Sequence, residues 1–274
     1  MFNKGKKMFS GFIHLSPKAV MLAMAISFVV TIIGSELYLH RSRSHRAITF
    51  HPALCQLFRM WFFLTTFGMT AKAWVAVHRK HHAKTDTVED PHSPVIHGLL
   101  GVLTKGVLLY RKAATDPQVM KTYGVGVKED WMDTHLYTKH RFKGAWFFLL
   151  AEMALFGFEH GLYIWLFQLS VSPVWAAGFI NSFFHVVGYR NFETREHSRN
   201  FFPIGIIFCG AELHNNHHAY PASAKTSMRW WEFDAGWLVI RVLALFRLVT
   251  INRVETGVFE TRDRNGLAET GIKA

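Results

Sequence analysis

Cysteine is scarce in this sequence of 274 residues, which contains only Cys55 and Cys209. Both lie in apolar stretches, so the chain has no disulfide framework and too few thiols to ligate an iron–sulfur cluster of its own. Internal repeats, low-complexity tracts and domain linkers are absent as well. We therefore expect residues 1–274 to form a single domain.

Acidic residues are also in deficit, since 19 Asp and Glu stand against 31 Lys and Arg, a formal net charge of +12. An excess of this size fits a protein that binds nucleic acid, but the basic residues lie beside apolar segments and no nucleic-acid motif is present. The pattern instead favours anionic lipid headgroups, a CoA-like substrate or an acidic redox partner, and no nucleic acid.

Apolar residues are abundant, because they make up 50% of the chain and 15% of all residues are aromatic. This proportion, combined with the basic excess, is typical of an integral membrane protein with a basic aqueous face. The predicted fold class is all-α, with about three spanning helices and further helices in the membrane interface. The predicted spans are residues 18–39, 144–169 and 173–189, and the predicted interfacial segments are residues 52–71 and 230–249. Residues 170–175, which carry no charge, link the last two spans into a helical hairpin.

Histidine is concentrated in three short boxes. The first reads His-x4-His and the other two read His-x2-His-His, so the boxes hold two, three and three of the 17 histidines. They are His40 and His45, then His78, His81 and His82, and finally His214, His217 and His218.

This pattern indicates metal binding. Neutral imidazole is the commonest metal-ligating side chain, and the i, i+3, i+4 spacing of the second and third boxes puts three imidazoles on one helical face. Eight imidazoles are too many ligands for one ion, so the boxes are expected to converge on two metals. Surface histidines of a basic protein would be scattered singly instead of repeated in this order.

Convergence of the boxes constrains the topology between them. If residues 52–71 crossed the membrane, His40 and His78 would lie on opposite faces, so we expect this segment to lie in the interface, as its Gln56 and Arg59 also favour. The five-residue step from His40 to His45 turns about 140° on a regular α-helix. We therefore expect a frayed end or a bulge there.

Basic residues flank the predicted hairpin but are absent from its link. By the positive-inside rule, the boxes and their dimetal site face the cytoplasm. A single helix before His40 would put residues 1–15 on the opposite side, where their lysines conflict with this rule, so the side of the N-terminus stays open on the sequence. The flanking bases are Lys139, Arg141, Lys143, Arg190, Arg195 and Arg199.

The order and spacing of the boxes resemble those of the membrane fatty acyl desaturases, in particular the bacterial and animal acyl-CoA delta-9 group. The similarity runs over residues 39–237 and includes residues that flank the boxes. These are Leu39, Arg41, Ser44 and Arg46 at the first box, Trp74, Glu89, Asp90, Pro91 and His92 around the second, Gly188, Tyr189, Arg190 and Asn191 before the third, and Ala219, Tyr220, Pro221, Trp231, Glu232, Phe233 and Asp234 after it.

The resemblance implies an oxygen-dependent desaturase that introduces a double bond, at the delta-9 position, into a long-chain acyl substrate carried by CoA or by a lipid. Its cofactors would be two iron ions, with O2 as co-substrate. The histidines alone do not select iron, because imidazole also binds zinc, copper and nickel. The bacterial type further implies a bacterial inner membrane and a separate electron donor, either ferredoxin-like or a small haem cytochrome, with its reductase.

The resemblance also assigns roles to residues outside the boxes. In the motif Asn181-x3-His185, His185 would be a ninth histidine ligand and Asn181 would reach the metal through a water, with helix packing as the alternative role of the amide. Trp74 is a candidate for lining an apolar tunnel for the acyl chain, with ordinary helix packing as the alternative. No catalytic residue is expected beyond the metal ligands. The candidates for orienting ligand imidazoles are Asp90, His92, Glu193 and Glu212.

Two other functions remain open on the sequence. A related di-iron membrane hydroxylase would carry similar boxes, although the residues flanking the second and third boxes favour a desaturase. A non-enzymatic membrane protein that binds or transports metal would place its ligands near the bilayer midplane. The boxes lie instead where helices leave the membrane, which disfavours transport.

Overall fold

The chain is mostly helical, as predicted, over the residues that the computed structural model describes, which are 9–255, 260–262 and 268–270. Both ends of the predicted single domain lie outside these residues. The helices are α1 (Pro17–Ile33), α2 (Pro52–Thr65), α3 (Ala71–Lys84), α4 (Pro94–His97), α5 (Leu99–Ala114), α6 (Pro117–Tyr123), α7 (Lys143–Phe156), α8 (Phe158–Val171), α9 (Asn181–Phe183), α10 (His214–Ala219) and α11 (Ala235–Leu245).

Three π-helical segments and six short strands complete the described elements. The π-helical segments are Gly34–Ser44, Asp133–Thr138 and Ser172–Ile180. The strands are β1 (Ile48–Phe50), β2 (Ile204–Gly205), β3 (Phe233–Asp234), β4 (Val249–Ile251), β5 (Glu260–Arg262) and β6 (Ala268–Thr270). β1 pairs with β4 and β5 with β6 in antiparallel fashion, whereas β2 and β3 are parallel. These ribbons are too small to change the helical class.

The first helix carries the first histidine box at its end. α1 begins at Pro17, where the Ser16 side chain accepts a hydrogen bond from the backbone N–H of Ala19, and it passes directly into the π-helical segment Gly34–Ser44. π-Helical hydrogen bonds join residues five apart, and the His45 N–H donates to the His40 carbonyl at 3.1 Å. The two imidazoles therefore lie side by side, with ring centroids 5.0 Å apart. The bulge expected from the His-x4-His spacing is confirmed.

The hairpin in the second half of the chain turns at a different place from the one predicted. α7 ends at Phe156 and α8 starts at Phe158, so the turn is at Gly157, whose φ of 86° is the left-handed conformation that favours glycine. Gly161 keeps the two helices close, because a Cβ there would lie 2.5 Å from the backbone nitrogen of Met153. Residues 170–175, the predicted link, instead lie inside the helix that continues α8.

Pro173 is the reason that the predicted hairpin turn differs from the observed one. Pro173 and its uncharged neighbours look like a turn, but Pro173 lies in the π-helical segment Ser172–Ile180, which runs on into α9. A change in hydrogen-bond pattern is one way for a helix to accommodate a proline. The predicted spans 144–169 and 173–189 therefore need new boundaries, with one helix before Gly157 and one long helix after it.

Two helices in the described part of the chain are long and apolar enough to span a membrane, Pro17–Ser44 and Phe158–Phe183. α7, at 14 residues, is shorter, so the three predicted spans correspond to two long helices and one short one. α2 is also 14 residues long, about 21 Å at the usual helical rise. The number of crossings and the interfacial position of residues 52–71 stay predictions.

The helix predicted over residues 230–249 is shorter in the structure. Only α11, Ala235–Leu245, is helical, because β3 precedes it and β4 follows it. Its outer face is mostly apolar, with Leu238, Val242 and Leu245 exposed around Arg241, and Trp230 just before β3 is 93% exposed. An apolar exposed face with a tryptophan at its edge is what the interface of a bilayer would cover. The interfacial position itself stays a prediction.

The first described residues lie at the end of α1 that is remote from the histidine box. The Ile13 N–H donates to the Leu155 carbonyl at 2.7 Å, and the Phe158 N–H donates to the Phe9 carbonyl at 3.1 Å. Residues 9–13 thus cover the turn between α7 and α8. The structure thus places residues 9–13 at the end of α1 opposite the first histidine box.

A buried arginine joins the first helix to the C-terminal third of the chain. Arg41 is 1% exposed, and its guanidinium donates to both carboxylate oxygens of Asp234 at 3.1 and 3.2 Å. It also donates to the carbonyls of Ala224 at 2.7 Å and Cys209 at 2.9 Å. Asp234 in turn caps α11 by accepting from the backbone N–H of Trp237. These hydrogen bonds of the Arg41 guanidinium therefore fix the position of the neighbouring His40.

The fold predicts which loops share a side of the membrane. Ser10, Thr49 and Thr87 are exposed; Thr49 precedes α2, Thr87 follows α3, and Ser10 lies at the far end of α1. In a background without Cys55 and Cys209, we expect an impermeant thiol reagent to label Thr49→Cys and Thr87→Cys from the same side of sealed vesicles. It should label Ser10→Cys from the opposite side. Labelling of Thr49→Cys and Thr87→Cys from different sides would mean that residues 52–71 cross the membrane.

Candidate metal centre

Nine histidines from distant parts of the chain converge into two clusters. In each cluster, one ring nitrogen of every member lies within 4.8 Å of one ring nitrogen of every other member. The five-histidine cluster consists of His40, His45, His78, His82 and His217. The four-histidine cluster consists of His81, His185, His214 and His218. Every histidine that the sequence singled out as a ligand belongs to one of the two.

The second and third boxes each divide between the clusters. On α3, His78 and His82 are one turn apart and enter the five-histidine cluster, while the intervening His81 enters the other. On α10, His217 enters the five-histidine cluster, whereas His214 and His218 enter the four-histidine cluster. Residues at i and i+4 face the same way, and the residue at i+3 is displaced around the helix. The spacing thus lets a single helix contribute histidines to two neighbouring clusters.

The ring nitrogens have the spacing that metal coordination requires. The Nε2 atom of His217 lies 2.8 Å from that of His40 and 3.0 Å from that of His82, and the Nε2 atoms of His45 and His78 are 2.9 Å apart. With metal–nitrogen bonds of about 2.0–2.1 Å, two imidazoles at right angles on one ion would have their nitrogens about 3.0 Å apart. The observed distances agree with such an arrangement.

Two further nitrogens have no partner among the described residues. The Nε2 atoms of His81 and His218 are buried and form no hydrogen bond. A buried polar atom without a partner is uncommon and needs an explanation, and a metal ion supplies one for both. The residues present therefore fit a pair of metal ions, one in each cluster.

Carboxylates hold the outer nitrogens of four of these rings. Nδ1 of His40 lies 2.8 Å from Glu36, and Nδ1 of His81 lies 3.1 Å from both oxygens of Asp90. Nδ1 of His185 is 3.3 Å from Asp86, and Nδ1 of His218 is 3.6 Å from Glu196. An N–H directed at a carboxylate fixes the tautomer, so the Nε2 lone pair points into the cluster.

Sequence reasoning found only one of these four carboxylates. Asp90 lies where it was expected, beside His81. Glu36, Asp86 and Glu196 were missed, although Glu36 precedes His40 by one helical turn, a spacing that could have revealed it. Asp86 and Glu196 lie outside regular elements, where no periodic pattern could have indicated them.

The other three candidates for orienting imidazoles have different positions. The ring of His92 packs beside that of His81, with centroids 4.7 Å apart. Glu212 accepts from the backbone N–H groups of Phe208 at 2.9 Å and Gly210 at 3.2 Å, and it forms no ion pair with a histidine among the described residues. Glu193 is exposed, and the carboxylate that faces a ligand from that loop is Glu196.

The asparagines inside the third box hold α10 in place. Asn216 is fully buried; its amide donates to Glu232 at 2.8 Å, and its oxygen accepts from Asn200 at 2.9 Å and from Asn191 at 2.8 Å. Asn215 accepts from the backbone N–H of Asn191 at 2.8 Å. A helix of only six residues would not be rigid alone, so this network positions its three histidines.

A cavity of about 640 Å³ reaches both clusters. Trp74, Asn181, His40, His78 and His214 are among the residues that line it. Trp74 also stacks on His78, with centroids 4.9 Å apart and planes inclined by 15°. The structure thus brings the tunnel candidate and the asparagine of the Asn-x3-His motif to the wall of one cavity.

The cavity wall combines apolar and basic residues. An apolar stretch of the wall comes from the helix after Gly157, through Leu169, Pro173, Ala176, Ala177 and Ile180. Three exposed bases mark where the cavity meets the surface, Arg111, Lys112 and Arg141. An apolar cavity with a few charged groups in its wall suits an amphiphilic ligand.

Burial keeps most of the cluster imidazoles neutral, which is the form that ligates a metal. Removal from water lowers the pKa of His45 to about 3, with a contribution from the nearby Arg79. Burial likewise lowers the pKa of five other cluster histidines outside the two long apolar helices well below the ordinary value, namely His78, His82, His214, His217 and His218. His81 is the exception, because Asp90 outweighs burial and raises its pKa.

These pKa shifts predict how stability depends on pH. The imidazoles have an ordinary pKa of about 6.5 in the unfolded chain and a lower pKa when folded, so below pH 6.5 the unfolded state binds more protons. Each group then costs up to about 1.4 kcal/mol of stability per pH unit, and only His81 acts in the opposite direction. We expect the thermal unfolding midpoint of the purified protein to fall steeply between pH 7 and pH 5. A midpoint that is constant over this range would contradict neutral buried histidines.

Comparison with known proteins agrees with the site. Residues 17–253 match the family model of fatty acid desaturases. The chain is 28% identical to delta-9 acyl-lipid desaturase 1 of Arabidopsis thaliana, over 82% of this chain and 72% of that protein. It is 29% identical to the sn-1 stearoyl-lipid 9-desaturase of Synechocystis sp., over 84% and 70% of the two chains. It is also 27% identical to an acyl-CoA 5-desaturase of Anemone leveillei, over 89% and 74%. The resemblance seen in the histidine boxes is confirmed, and this chain belongs to the fatty acid desaturase family.

Proposed function

We propose that the two histidine clusters hold two iron ions, with which this desaturase introduces a delta-9 double bond into a long-chain acyl substrate in a reaction that consumes O2. The observation that carries the proposal is the cavity, because it joins an apolar wall to both clusters and to a basic surface. Side chains alone cannot remove hydrogen from unactivated methylenes. Bound iron would supply that oxidising chemistry, with two electrons and two protons from outside completing the reduction of O2 to two waters.

The nine histidines are the proposed ligands, and the residues around them keep the rings in position. Glu36, Asp86, Asp90 and Glu196 orient four of the imidazoles, as the distances to their Nδ1 atoms indicate. Asn181 lines the same cavity as His214 and is proposed to act through a water. This role differs from helix packing in that it needs the amide to face the cavity.

The cavity wall is proposed to hold the acyl chain with two neighbouring methylenes next to the clusters. Trp74 would fix the chain where it passes His78, since its ring is already held by stacking. Arg111, Lys112 and Arg141 would bind an anionic group at the other end of the substrate, in CoA or in a lipid headgroup. A fixed distance between these two contacts would set the position of the double bond.

The names of the relatives support the reaction class. They include both acyl-lipid and acyl-CoA desaturases, so the acyl carrier stays open between a lipid and CoA. Two of those above act on acyl lipids at position 9, and one acts on acyl-CoA at position 5. For this chain we propose position 9 and place the protein in a bacterial inner membrane with the clusters on the cytoplasmic side. The support for that side is the distribution of basic residues around the helices.

Product analysis tests the function directly. We expect expression in a host that lacks unsaturated fatty acids to yield acyl chains with a new double bond, located by mass spectrometry. His217→Ala and His81→Ala remove one ligand from each cluster, so each variant should abolish the product and lower bound iron. The matched control is His135→Ala, because His135 is an exposed histidine outside both clusters and its loss should leave the product unchanged. A hydroxylated product instead of an alkene would assign the protein to the related hydroxylases.

We propose that the electrons come from a separate acidic carrier, ferredoxin-like or a small haem cytochrome. The first two boxes are bordered by basic side chains, among them Arg43, Arg46 and Arg79, and Arg46 is exposed. Association with an acidic partner would therefore be accelerated by charge and weakened by salt. Under conditions where the carrier limits the rate, we expect turnover to fall as ionic strength rises. Turnover that is indifferent to ionic strength would exclude docking by charge.

A further inference from the structure

The carboxylates around the two clusters are unequally distributed. Three of the four rings in the four-histidine cluster have a carboxylate at Nδ1, since Asp90 serves His81, Asp86 serves His185 and Glu196 lies near His218. In the five-histidine cluster only His40 has one, which is Glu36. No other member of that cluster forms an ion pair with a carboxylate in the described part of the chain.

The carboxylates of the four-histidine cluster are also held firmly in place. Asp86 accepts from the Ser93 hydroxyl at 2.7 Å and from the backbone N–H of His197 at 2.8 Å. Asp90 accepts from the backbone N–H groups of Asp86 at 2.9 Å and His92 at 3.1 Å. Their negative charges therefore cannot move away from the cluster. Because Asp90 is 3% exposed, water screens its charge poorly.

A positive charge acts on the other cluster. The guanidinium of Arg79 donates to the carbonyls of Ser44 at 3.2 Å and Arg43 at 3.2 Å, so it sits beside His45, and it forms no ion pair with a carboxylate among the described residues. The five-histidine cluster thus has one carboxylate and a basic neighbour in Arg79, whereas the four-histidine cluster has three carboxylates. The fifth imidazole is a neutral ligand and does not reverse this difference in charge.

We infer that the two sites hold their metals unequally: the four-histidine cluster is the tighter site, and Glu36 is the positioning residue on which retention in the five-histidine cluster depends. The inference rests on the proposed use of both clusters as metal sites. A carboxylate that orients a ligand imidazole typically contributes 10- to 100-fold to metal affinity. Two additional carboxylates are therefore enough to separate the two sites in a competition with a chelator.

The test follows iron loss from the purified holoenzyme in lipid nanodiscs as an iron chelator is added. For the wild-type protein we expect two iron ions per chain that leave in two steps. Glu36→Gln should lower the chelator concentration of the first step by 10- to 100-fold and leave the second unchanged. Asp90→Asn should shift only the second step. Glu152→Gln is the matched control, because Glu152 is buried in the same helical bundle but contacts Gln168 and no histidine among the described residues.

Each result distinguishes the inference from the proposed function. Wild-type protein that binds fewer than two metal ions would contradict the proposed metal sites themselves. Two ions that leave together, or a first step that responds to Asp90→Asn instead of Glu36→Gln, would overturn the inequality while leaving the function intact. If Glu36→Gln does not accumulate, His82→Ala and His214→Ala make the same comparison, since each removes a ring from one cluster only. Circular dichroism that matches wild type would exclude a general loss of structure.

Discussion

A buried guanidinium determines whether the histidine boxes can meet. Arg41 is almost inaccessible to water, and an ionised group at that depth is tolerated only when it is paired. Its partners are Asp234 and two backbone carbonyls in the stretch from Cys209 to Asp234. The third box lies within that stretch, so the contacts that neutralise Arg41 also bring the Nε2 of His217 to 2.8 Å from that of His40. The position of the proposed metal centre thus depends on an ion pair outside it.

Helix irregularities serve the site in two places. The π-helical segment Gly34–Ser44 turns a spacing of five residues into a shared face, which a regular helix would have separated. The segment Ser172–Ile180 carries the chain past Pro173 and leads to Asn181 and His185. In both cases the irregular turn comes just before residues of the clusters. The helices that contain these segments, Pro17–Ser44 and Phe158–Phe183, are the two in the described part of the chain that are long and apolar enough to span a membrane.

Much of the site could be read from the sequence because its signals are local. The His-x2-His-His spacing lies within one or two helical turns and therefore predicts a shared helical face. The five-residue step of the first box does not fit a regular helix and therefore predicts an irregular one. The predicted hairpin turn was misplaced because the observed turn depends on the left-handed conformation of a single residue, Gly157. Pro173 has the sequence features of a turn but lies inside a helix. Glu196 was missed because side chains in the irregular loop before the third box have no periodicity. The division of the second and third boxes between two clusters depends on contacts between segments more than a hundred residues apart.

The division of the boxes between clusters has a consequence for how the protein is made. Each cluster takes a member from the second box and its last member from the third, so neither is complete before His217 or His218 has been synthesised. At the usual rate of elongation, the interval between His40 and His218 takes about 10–35 s. During that time the imidazoles of the first box have no complete set of partners. Metal delivery to the complete proposed sites therefore belongs to the period after translation of α10, because a chain truncated before it would lack His217 from one cluster and His214 and His218 from the other.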